Sequence, residues 1–94
     1  MSIRPTFFDQ TVDIATEYLG PTADRFMRRQ VSTHLGKKPE DLRPQDIVEL
    51  VDWIKLTFAL LTDDRALIQS FSDQLVALAL AYKTDKRGVR HGKK

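Results

Sequence analysis

Apolar residues recur along this chain at three- and four-residue intervals, the spacing of one helical face, almost throughout. Phe8, Val12, Ala15 and Leu19, flanked by Phe7, Ile14 and Tyr18, predict a helix over about 7–19. Thr6 precedes it with Asp9 three residues on, a capping box with Asp where Glu is usual. Gly20 offers a left-handed stop, and Pro21 suits the first position of a second helix. That helix, about 21–35, carries Ala23, Phe26, Met27, Val31 and Leu35 and ends at Gly36. Lys37–Arg43 is a polar connector with a short turn near 39–42, where Pro39-Glu40-Asp41 is good first-turn chemistry.

Pro44 opens a third helix, about 44–61, with Ile47, Leu50, Val51, Ile54, Phe58 and Leu61 on its apolar stripe. Trp53, Leu56 and Leu60 widen the stripe, so this helix is expected to be the most buried. Thr62 reads as the next N-cap, and Asp63-Asp64 match the positive end of a fourth helix, about 63–82. Leu67, Ile68, Phe71, Leu75, Leu78, Ala79 and Tyr82 form its stripe. No segment alternates with period two between turn residues, and nothing repeats. The expectation is all-α: one domain over 1–82, a compact antiparallel bundle of four main helices. Residues 83–94 lack apolar anchors except Val89 and are expected to be a flexible basic tail.

Composition narrows what such a bundle can do. A chain of 94 residues suits one domain. At this size folding buries only about 60–65% of the unfolded surface, and a thin core leaves an apolar face for a partner. The absence of cysteine excludes disulfides, thiolate zinc sites, iron–sulfur ligation and thiol nucleophiles. Met1–Thr6 has no apolar run of the secretory kind. The longest apolar stretch, Leu56–Leu61, is far short of the roughly 20 residues of a membrane span. A cytoplasmic protein without membrane association is expected. The net charge of +2 is uneven: residues 83–94 hold six bases against one acid, and the body holds nine bases against twelve acids. The basic character belongs to the tail.

Catalytic chemistry finds little footing. His34 and His91 are far apart, and His34 has no carboxylate three or four residues away, whereas zinc needs three or four converging ligands. Asp9, Asp13 and Glu17 form an acidic ridge at i, i+4 and i+8, which could dock a basic partner or a cation but reads best as a solvated face. Ser2, Ser32, Ser70 and Ser72 lie outside any nucleophile elbow, and the four glycines form no phosphate cradle. The expectation is a non-enzymatic chain with no metal and no cofactor.

What remains is binding. Arg25, Arg28 and Arg29 share one side of the second helix, and Lys37-Lys38 follow it. Trp53, Phe58 and Phe71 at helical spacing read as core, yet the third helix has more apolar width than a small bundle must hide. Arg25, Arg28, Arg29, Lys37, Lys38 and Trp53 are therefore the candidate partner-binding residues, with a protein partner expected and a homodimer among the options. The alternative is nucleic acid, held by the basic tail and the Arg25/Arg28/Arg29 face. Arg29–Leu42 has a faint helix-turn-helix look, but Pro39-Glu40-Asp41 would set acids against phosphates and Pro44 would interrupt the reading helix.

The step Tyr18-Leu19-Gly20-Pro21-Thr22-Ala23, followed by Arg28, resembles a small helical domain of bacterial signalling proteins. There a Tyr-(Leu/Ile)-Gly-Pro-x-Ala step precedes a helix with a basic residue near its middle. Leu60–Arg65 leading to Phe71 and Leu75 is similar to that domain's last helix. Such modules are appended to serine/threonine kinases, cyclases and response regulators. The resemblance implies a regulatory role and no catalytic residues. It covers about half the chain, and the sequence departs from it at Met27–Gln30 and in the insertion Lys37–Arg43. The step also has a local reading, as a tight corner between two helices with Tyr18 and Ala23 packed across it.

Overall fold

The chain is seen in a computed structural model that describes residues 6–82, with the backbone of the last helix followed to His91. Among the described residues every regular element is helical. The order is α1 (Phe7–Leu19), α2 (Ala23–Gln30), α3 (Ile47–Phe58) and α4 (Arg65–His91), joined by short 3-10 and π turns. The expected flexible tail over 83–94 lies outside the described residues.

Local chemistry sets the element ends. Thr6 Oγ1 accepts from the Asp9 N–H at 3.1 Å while Asp9 Oδ2 accepts from the Thr6 N–H at 3.0 Å, so both arms of the capping box at α1 are made. The second expected helix is divided. Gly20–Thr22 forms a 3-10 turn, α2 has eight residues, and Val31–Leu35 widens into a π turn that ends at Gly36 in the left-handed region, φ 63° and ψ 30°. Gly20 differs from expectation: φ is 62° but ψ is −141°, an extended positive-φ conformation and not a left-handed helical cap. Three α-helices of twelve or more residues, α1, α3 and α4, thus frame one shorter, composite segment.

Three boundaries in the second half are corrected. Pro44–Asp46 is a 3-10 turn, and α3 proper starts at Ile47 and stops at Phe58. The N-cap of α4 is Asp64, not Thr62: Asp64 Oδ1 accepts from the Leu67 N–H, while Thr62 Oγ1 accepts from the Asp64 N–H, each at 3.1 Å. A carboxylate at the positive end of a long helix gains from both the hydrogen bond and the dipole, so it wins over a hydroxyl two residues earlier.

α1 packs on α2 and α4, and α3 packs on α4 and on the π turn. The core gathers Phe7, Phe8 and Ala15 of α1, Ala23 and Met27 of α2, Ile47, Leu50, Ile54 and Phe58 of α3, and Phe71, Leu75 and Ala79 of α4. Phe71 is at the centre, edge-on to Phe58 at 5.3 Å and stacked on Tyr18 at 4.9 Å. The Tyr18 hydroxyl leaves the α1–α2 corner for α4, where it meets Ser70 Oγ at 2.9 Å and accepts from Gln74 Nε2. The residues expected at the corner therefore divide: Ala23 fills the core and Tyr18 ties α1 to α4.

Candidate functional site

The two sides of α3 are both apolar, and only one is covered. Ile47, Leu50, Val51, Ile54 and Phe58 fall on the face turned to the core. On the other side Val48 is 74% exposed, Trp53 41% and Leu56 63%, and in the turn beyond the helix Leu60 is 85% and Leu61 61% exposed. The width of the stripe was expected to make α3 the most buried helix. The extra apolar residues instead face outward, because α4 and the π turn pack on one side of α3 and leave Val48, Leu56 and Leu60 largely open.

The exposed ridge is held in place by its backbone. Trp53, Leu56 and Leu60 follow each other at three and four residues, so they line one edge. The end of α3 tightens through the Leu60 N–H to the Thr57 carbonyl and the Leu61 N–H to the Phe58 carbonyl, at 3.0 and 2.9 Å. Thr57 Oγ1 donates to the Trp53 carbonyl at 3.0 Å. Charged neighbours sit on the same surface: Glu49 and Asp52 are exposed and Lys55 half-buried. None of the three has an ion-pair partner among the described residues.

Trp53 is also braced from the side. His34, in the π turn, stacks on its indole with ring centroids 4.3 Å apart and planes 5° from parallel. Along the sequence His34 has no carboxylate at helical spacing to engage it. Its partner lies on another helix, and helical spacing carries no trace of such a pairing.

The basic candidates divide into engaged and open. Arg28 Nε donates to both oxygens of Asp24, at 3.2 and 2.9 Å, and its guanidinium lies 5.4 Å from the centre of the Phe8 ring. Lys37 Nζ donates to Asp46 Oδ2 at 2.7 Å, in a partly buried contact that closes the connector onto the start of α3. Arg25, Arg29 and Lys38 are exposed.

Asp46 holds the connector. The same Oδ2 accepts from the Arg43 N–H at 3.0 Å. Burial pushes its carboxyl up, but the Lys37 ammonium, the Arg43 N–H and the charges of both residues outweigh this, so the group sits below the ordinary aspartate range. A carboxylate whose folded pKa is depressed stabilises the fold above its unfolded pKa, near 3.9, and loses that contribution as pH falls through the folded value. Asp46→Asn is therefore expected to cost about 1–2 kcal/mol near pH 7. Urea melts at pH 6, 4 and 2 should show the gap from the parent chain narrowing with each step down. A gap that stayed constant over that range would refute a charged tie between Lys37 and Asp46.

Other surfaces offer less chemistry. In the acidic ridge Asp9 is committed to the α1 cap, while Asp13 and Glu17 are exposed. Among the described residues no three histidines, aspartates or glutamates group as metal ligands. An open groove of about 440 Å³ between the start of α1 and Leu42–Gln45 holds Glu40 and Arg43 but no histidine or serine. Among the described residues no helix is long and apolar enough to cross a membrane. No protein-family model, no curated protein and no solved structure matches this chain.

Proposed function

We propose that this chain is a non-enzymatic protein-interaction domain of the regulatory kind that bacterial signalling proteins carry, working in the cytoplasm and docking a protein on the outer ridge of α3. The observation that carries this reading is the exposure of Val48, Trp53, Leu56, Leu60 and Leu61 on one helix and its terminal turn, in a domain whose core is filled from elsewhere. Burying a leucine or valine gains about 1.5–3 kcal/mol. Apolar residues clustered in the open contribute nothing of that to the isolated fold, and such patches mark interaction sites. The π turn braces Trp53 from one side, which presents the indole as an ordered anchor. Arg25 and Arg29 on α2 add exposed charge for acidic groups of a partner.

Leu56→Asp and Leu60→Asp test the reading. Both residues are exposed, so each change should move the melting midpoint by no more than about 4 °C. A photo-crosslinking residue at position 56, carried in the native cell, should give a protein adduct that Leu60→Asp reduces about tenfold or more. A drop of 10 °C or more would return these leucines to the core and end the reading, as would the absence of any adduct. Salt-sensitive binding to a labelled duplex, abolished by Arg25→Ala with Arg29→Ala, would replace it with nucleic-acid association.

A further inference from the structure

We propose that the occupant of the α3 ridge is a second copy of this chain, docked antiparallel, α3 against α3. The inference rests on the interaction reading above and adds the identity and direction of the partner. Five large side chains at these exposures present on the order of 500–600 Å². That is near the upper limit for an apolar patch on a lone monomer and close to one copy's share of a small, stable interface, about 600–800 Å².

Charge decides the direction. Glu49 and Asp52 lie in the N-terminal half of α3, Lys55 lies toward its C-terminal half, and none is paired among the described residues. Asp52 and Lys55 are three residues apart on the same edge of the ridge. A parallel pairing would set acids against acids. An antiparallel pairing about a two-fold axis between positions 54 and 55 brings each Lys55 within about one turn of Asp52 in the other copy. The same axis sets Trp53 against Leu56 at the middle of the contact, apolar on apolar from both sides, and Leu60 level with Glu49 at its two ends, where the carboxylate stays open to water. Docking the ridge on the arginine face of α2 would join two different surfaces, a contact that closes only where its rotation builds a ring and otherwise extends. The two-fold arrangement closes and leaves no ridge open.

Sedimentation equilibrium of the full chain, with its charge variants, tests the pairing. A monomer–dimer equilibrium is expected, weakened at least tenfold by Leu56→Asp. Lys55→Glu and Asp52→Lys alone should each weaken it about tenfold at low salt, because a two-fold contact meets each change twice. The double variant D52K/K55E should return to within about threefold of the parent. A dimer indifferent to Leu56→Asp, or one that the double variant fails to restore, would overturn the antiparallel α3 contact. A chain still monomeric at about 1 mM, with an in-cell adduct at position 56 whose mass is not twice that of the chain, would overturn self-association. That outcome would leave the interaction reading standing, whereas the lack of any adduct would remove both.

Discussion

Phe71→Ala should be the most damaging single truncation in this domain, costing about 3–5 kcal/mol. The ring is fully buried and is the meeting point of three elements, with Tyr18 of α1 stacked on it and Phe58 of α3 edge-on to it. Truncation removes the transfer energy of the ring and leaves a cavity. It also loses two aromatic pairs, each worth about 0.5–1.5 kcal/mol beyond its area. A domain of this length has a total stability of about 5–14 kcal/mol, so a fifth of the margin or more is at stake. The midpoint of thermal unfolding should fall on the order of 20 °C, read by far-ultraviolet circular dichroism. Trp53→Ala is the necessary contrast. Trp53 is larger than Phe71 yet about two-fifths exposed and braced by one ring, so its removal should cost about 1 kcal/mol or less. A loss at Trp53 equal to that at Phe71 would put the indole in the core and leave the α3 ridge without its anchor.

That contrast also marks how far the sequence can be read. The three- and four-residue spacing gave the helical class and the buried edge of α3, because Ile47, Leu50, Val51, Ile54 and Phe58 all fall within one arc. It could not divide that arc from Trp53, Leu56 and Leu60 beside it. Hydropathy records which side chains avoid water, and only the packing of the other elements records which of them succeed. Caps made of near neighbours were legible: Thr6 and Asp9 are three residues apart and bond as their types dictate. Where two caps compete, at Thr62 and Asp64, spacing alone did not rank them: the carboxylate took the helix start and the hydroxyl accepted from the Asp64 N–H instead. Contacts between elements were not legible. Lys37 meets Asp46 across the connector, His34 meets Trp53 between the π turn and α3, and Tyr18 reaches Ser70 on α4. Of the candidate surface, therefore, the residues were visible in the sequence and their state of engagement was not.

Gly20→Ala should cost about 2–3 kcal/mol although the new methyl group would touch nothing. No atom lies within 4 Å of where a Cβ would stand, so the whole penalty is backbone. Gly20 has φ 62° with ψ −141°, close to a region that only glycine occupies without strain. The cause is the next residue. Pro21 crowds the N–H of the residue before it and disfavours a helical ψ there, so the corner cannot take the left-handed cap that a glycine after a helix usually adopts. Gly36 is the internal control, since it is followed by Lys37 and does take that cap, with φ 63° and ψ 30°. Asparagine tolerates the left-handed helical region but not the extended positive-φ one. Gly36→Asn should accordingly cost only a few tenths of a kcal/mol, within the range seen for compatible surface changes. Gly20→Asn should be as costly as Gly20→Ala. Urea midpoints of the three variants separate the two corners. Equal and small losses for Asn at both positions would show that Gly20 can relax into the ordinary left-handed cap, and that Pro21 does not dictate how α1 turns into α2.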